Sequence, residues 1–89
     1  MKGIQFSQDF VKKIKKIRSN NELLCKRIKQ QLLRFQIDPQ HPSLRTHKLI
    51  GKLQKTWSIS IDKNYRMLYR ENDFYYFFDL GTHDQVYRK

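Results

Sequence analysis

The chain has 89 residues, 38% of them hydrophobic and 13% aromatic, which predicts one domain over residues 1–89 with a small core. Lysine and arginine total 19 against 8 aspartates and glutamates, a net charge of +11 that exceeds what solubility needs and points to an anionic partner. No run approaches ~20 apolar residues, so a membrane span is excluded. A single cysteine, Cys25, excludes an internal disulfide, and no secretory pattern opens the chain, so a reducing, cytoplasmic setting is expected.

Residues 2–6 read as a short strand with Ile4 and Phe6 on one face. Ser7 is a candidate N-cap, and Asp9 sits in the first turn that follows, where the helix dipole favours an anion. Phe10, Ile14 and Ile17 recur at helical spacing, with Lys12, Lys13, Lys15 and Lys16 expected on a solvated face. Ser19-Asn20-Asn21 breaks this helix and can cap a second, whose apolar stripe is Leu24, Ile28, Leu32 and Phe35. Cys25 lies near that stripe and reads as a buried small hydrophobe. The second helix should end near Asp38-Pro39, because the residue before proline avoids the helical region.

Residues 38–56 hold both prolines and two histidines, His41 and His47, and read as loop. The period then changes to two. Trp57, Ile59 and Ile61 alternate with Ser58 and Ser60; Tyr65, Met67 and Tyr69 alternate with Arg66 and Arg70. With residues 74–80 as the most apolar and central strand, stopped by Gly81, these segments make an antiparallel meander. The expected fold is α+β: an N-terminal strand and a two-helix hairpin packed on a mainly antiparallel four-stranded sheet. The helices cover one face. The other, carrying Ser58, Ser60, Arg66 and Arg70, should stay largely uncovered and hold the site.

No metal-ligand spacing and no phosphate-cradling glycine loop is present, and no small-molecule cofactor is expected. A basic, histidine-bearing set remains: Arg45, His47, Lys48, Lys52, Arg66, His83 and Tyr87. Phosphoryl transfer on RNA needs little more. Histidines can move protons near neutral pH, an arginine fork fits two phosphate oxygens, and an aromatic ring can stack on an unpaired base.

The segments His47-Lys-Leu-Ile-Gly51, Trp57-Ser-Ile-Ser-Ile61, Tyr65-Arg-Met-Leu-Tyr69 and Asp79-Leu-Gly-Thr-His-Asp-Gln-Val-Tyr87 resemble the RelE/ParE superfamily of type II toxins, and within it the RelE and YafQ messenger-RNA interferases. The resemblance covers nearly the whole chain. It implies a ribosome-dependent mRNA endonuclease working on mRNA in the ribosomal A site, with a cognate antitoxin as partner and no membrane involved. It gives Arg66 the scissile phosphate, His83 the general-acid role and His47 a histidine position at the end of the loop, from which it could act as general base. It further implies that Tyr87 stacks on a base; Arg45, Lys48 and Lys52, from the basic set, are expected to hold the RNA backbone. Ser58 and Ser60 stand where RelE-like members carry lysines, and Ser60 and Asn64 where YafQ-like members carry a histidine and an aspartate. The same fold also serves ParE-like gyrase poisons, which do not catalyse, and a member that only binds RNA or its antitoxin is a third possibility.

Overall fold

The computed structural model describes residues 2–51 and 55–87. Strand β1 (Ile4–Phe6) leads into helix α1 (Gln8–Asn20) and helix α2 (Glu22–Ile37). A 3-10 turn (Pro42–Leu44) precedes β2 (His47–Lys48), β3 (Trp57–Ser60), β4 (Tyr65–Glu71), β5 (Tyr75–Thr82) and helix α3 (His83–Tyr87). The five strands form one sheet in the order β1-β5-β4-β3-β2, with β1 parallel to β5 and all other pairs antiparallel. Among the described residues no helix is long and apolar enough to cross a membrane.

The helix boundaries follow from local chemistry. Ser7 Oγ accepts the Phe10 amide and Asn21 Oδ1 accepts the Leu24 amide, each satisfying a first-turn donor that has no partner inside the helix. α2 ends at Ile37, before Asp38-Pro39. Its inner face places Leu24, Ile28 and Phe35 in the core, where Cys25 is also buried. Phe35 is the centre of an aromatic cluster. Its ring meets Tyr69, Tyr75 and Phe77 edge-on at centroid distances of 5.0, 4.8 and 5.2 Å, the geometry that aromatic quadrupoles favour.

Several expectations are corrected. The sheet has a fifth strand, because His47 and Lys48 pair with Ser58 and Trp57. A two-residue strand is too short to show a period. The middle strand is β4, with β5 lying between it and β1. Gly81 does not stop the last strand; it pairs with Arg66 inside β5, which runs on to Thr82. His41, read in sequence only as part of a loop, is half-buried and caps the 3-10 turn, its Nδ1 accepting the Ser43 amide at 3.1 Å. Lys13 does not merely face solvent, since its Nζ pairs with the buried carboxylate of Asp79 on β5.

The sheet face opposite α1 and α2 is also not open. Ser58 and Ser60 are buried, and α3 folds back over part of this face with Val86 fully enclosed. A reciprocal cap starts α3: the Thr82 amide donates to Gln85 Oε1 at 2.8 Å, and the Gln85 amide faces Thr82 Oγ1 at 3.3 Å. Gly81 gives Gln85 room to do this, because a Cβ there would lie 2.7 Å from Gln85 Oε1 and 3.1 Å from its Cβ. Gly81→Ala is therefore expected to displace Gln85 and break the cap, costing about 1 kcal/mol. A loss of that size lowers the melting temperature by about 4–8 °C in a domain this small. A melt equal to wild type would show that the cap does not hold α3.

Candidate active site

The site lies where β2, β3, β4 and α3 meet. Arg66 leaves β4 directly opposite Ser60 and points to the same face as Ser58. Its Nε donates to Ser58 Oγ at 2.5 Å, and its Nη2 donates to the Arg45 carbonyl at 2.8 Å. Nη2 also faces His47 Nδ1 at 3.4 Å. Arg45 caps the 3-10 turn in the left-handed region, with φ 46° and ψ 50°, a conformation that costs energy in a non-glycine residue. The turn it closes brings that carbonyl to Arg66.

These partners of Arg66 are a hydroxyl, backbone carbonyls and an imidazole nitrogen, and no carboxylate pairs with it among the described residues. Burial lowers the Arg66 pKa from its ordinary value; the charge of Arg45 lowers it further and Tyr87 opposes the shift. An arginine stays charged at pH 7 even so. The site thus holds a half-buried cation that has no counter-anion among the described residues.

Tyr87 reaches the same point from α3. Its hydroxyl lies 2.8 Å from Ser58 Oγ and 3.2 Å from His47 Nε2. Donor and acceptor roles follow from Arg66, which can only donate. His47 Nδ1 is then the acceptor, so neutral His47 carries its proton on Nε2 and donates it to Tyr87. The Tyr87 hydroxyl in turn donates to Ser58 Oγ, which also accepts from Arg66. The only lone pair of the neutral imidazole is directed at Arg66. His83, the first residue of α3, sets its ring edge-on to Tyr87 at a centroid distance of 4.1 Å. It remains largely exposed, with Asp84 Oδ1 at 3.8 Å from its Nδ1.

The fold therefore brings together Arg66, His47, Tyr87, His83 and the backbone of Arg45 from four separate segments. Lys48 lies beside His47 on β2 and is exposed. Lys52 lies outside the described residues. Ser58, which in sequence is only a departure from the lysine pattern, is the buried hinge of the network: it holds Arg66 and Tyr87 at once. Its place on the same strand face as Ser60 is readable from alternation, but its partners are not. Among the described residues no three of His, Cys, Asp and Glu gather as a metal-ligand set.

This fold, with a strand and helix pair on a mainly antiparallel sheet, is that of the RelE/ParE superfamily of toxins. The family model described as the ParE toxin of type II toxin-antitoxin systems (parDE) matches residues 4–87, and the chain belongs to that family. No curated protein sequence matches it. Among solved structures, a metal-bound toxin from Helicobacter pylori superposes with a TM-score of 0.79 at 21% identity, covering 97% of this chain and 99% of that one. YafQ from Escherichia coli BL21(DE3) superposes with a TM-score of 0.76 at 18% identity, covering 98% and 99%. The E. coli DinJ-YafQ complex gives 0.76 at 19% identity, again covering 98% and 99%. At these identities the likeness is one of fold. The protein is a toxin of a type II toxin-antitoxin system.

Proposed function

We propose that the toxin is an endoribonuclease that cuts mRNA in the ribosomal A site through the substrate's own 2′-hydroxyl. The observation that carries this reading is Arg66: a half-buried cation paired with no carboxylate among the described residues, with His47 Nδ1 at 3.4 Å and His83 joined to the same network through the Tyr87 ring. The scissile phosphate would supply the anion, and an arginine fork fits two of its oxygens. In the reaction the 2′-oxygen attacks phosphorus and the bond from phosphorus to the 5′-oxygen breaks. His47 takes the 2′-hydroxyl proton, and His83 gives a proton to the leaving 5′-oxygen. The products are a 2′,3′-cyclic phosphate and a 5′-hydroxyl. Arg66 holds the charge that builds on the phosphorane oxygens.

The resting hydrogen bonds couple binding to activation. His47 can act as base only when its Nδ1 lone pair is free, and Arg66 occupies that lone pair at rest. A phosphate that draws the guanidinium toward itself releases the base in the same movement. Tyr87 keeps the imidazole in place meanwhile, through Nε2. Lys48, Lys52 and Arg45 line the RNA backbone in this reading, and the Tyr87 ring is available to a base.

The proposed protein partner is a cognate antitoxin, acidic where it wraps this basic chain; a structure similar to this one is that of YafQ with DinJ. Such a partner can neutralise the toxin by covering Arg66 or by displacing α3 and His83. Induced expression followed by mapping of mRNA 5′ ends tests the function. In-frame cuts in translated messages are the expected result. A DNA-damage response with intact mRNA would instead identify a gyrase poison, and neither effect would identify a binding protein without catalysis.

A further inference from the structure

A second basic site shares Arg45 with the first and has no histidine in its described lining. A cavity of about 800 Å³ opens between α2, the 3-10 turn and the β3–β4 turn. Its lining includes the cations Lys26, Arg27, Arg34, Arg45 and Lys63. Among the described residues that line it, the one carboxylate is Asp62, which is engaged by its own turn, accepting the amides of Asn64 and Tyr65 at 2.8 Å each. The lining residues come from three separate segments, and each cation among them looks in sequence like ordinary surface charge.

The floor of the cavity is fixed by hydrogen bonds. β2 pairs with Trp57 and Ser58 and goes no further, so among the described residues the Ser60 carbonyl of β3 has no strand partner on that side. Buried Gln31 fills the gap, donating from Nε2 to Ser60 O at 2.8 Å and to Ser43 O at 3.2 Å. Gln31 Oε1 and Ser43 Oγ in turn accept from Arg34 Nη1 at 3.2 and 3.1 Å. Arg27, Gln31 and Arg34 are spaced to share one face of α2. Arg34 is thus held in place before any ligand arrives, and these partners are neutral.

We propose that this groove binds the phosphodiester backbone of the RNA strand that runs on from Arg66, a reading that rests on the RNA-cleaving function above. Arg45 joins the two sites: its carbonyl holds Arg66, and Arg45 is also among the residues that line the groove. Among the described residues of the lining, Leu23 and Ile61 are the only apolar ones, too few to anchor an amphipathic protein helix. A sugar-phosphate chain needs cations and donors, which the groove supplies.

The test is the salt dependence of binding to a short single-stranded RNA of mixed sequence. The double variant Lys26→Gln/Lys63→Gln should flatten the slope of log K against log salt by about 0.7 for each phosphate no longer neutralised, about 1.4 for both. The control Lys12→Gln/Lys15→Gln removes the same charge from the exposed face of α1 and should leave the slope near wild type. Arg34→Gln, with its fold checked by thermal melt, should flatten the slope by about 0.7, the value for one phosphate. Equal slopes for the groove and control pairs would overturn the proposal. So would a groove pair that binds RNA like wild type while losing affinity for poly-glutamate, which would make the groove a site for acidic protein. Binding is read without cleavage, so a toxin that binds here but does not cut would refute the catalytic reading alone.

Discussion

Arg66→Ala is expected to lower the single-turnover rate of cleavage on the ribosome by ~10²–10³-fold, the effect of removing one fixed donor from developing charge. Arg66→Lys should recover little of it, because an ammonium keeps the charge but not the two-oxygen fork. The loss should fall on the chemical step, with binding of the toxin to the ribosome little changed. Arg66 is half-buried and hydrogen-bonded to Ser58 and Arg45, so its removal also strips partners from those groups. Rates should therefore be compared at a temperature where circular dichroism shows both proteins folded. A folded Arg66→Ala protein that cuts at the wild-type rate would remove Arg66 from the mechanism.

His83→Ala is expected to lower the rate by ~10²–10⁴-fold, the usual range for a group that moves a proton in the transition state. Its melt should match wild type, because the ring is largely exposed and its neighbours are the Tyr87 ring and a distant Asp84 carboxylate. A proton donor has a further signature. The defect should shrink on a substrate whose leaving 5′-oxygen is replaced by sulfur, since a thiolate leaves without help. A defect of unchanged size on that substrate would make His83 a positioning residue for Tyr87.

Much of this molecule can be read along its sequence where the signal is local. Ser7 and Asn21 announce the helix starts through the donors they cap, and Phe10, Ile28 and Phe35 fall at helical spacing on the faces that the core encloses. The alternation of Trp57–Ile61 and Tyr65–Tyr69 gives the meander directly. What could not be read depends on contacts between distant residues. Lys13 and Asp79 are 66 positions apart, and nothing near Lys13 marks it as paired. α3 spans five residues, too few for a periodic stripe, and its start rests on the Thr82–Gln85 cap. Ser58 looks like a polar residue on an open sheet until α3 returns and covers it.

The candidate site divides the same way. Residue type suggests Arg66, His47, His83 and Tyr87, and the fold links the four in one chain of hydrogen-bond and ring contacts. The side of the His47 ring that meets Arg66, and the lack of a carboxylate partner for Arg66 among the described residues, come only from geometry. The groove under Arg34 has no sequence signal at all, because Gln31 builds its floor by bonding a carbonyl left free by the shortness of β2.

In the proposed reaction the RNA itself supplies the nucleophile. The most direct measurement uses ribosomes programmed with an mRNA carrying a single 2′-deoxy nucleotide immediately 5′ of the cut. Cleavage should stop at that position, while the all-ribose message is cut to leave a 2′,3′-cyclic phosphate on the upstream fragment. Full cleavage of the deoxy-substituted message would contradict the mechanism, whatever the histidine and arginine variants do.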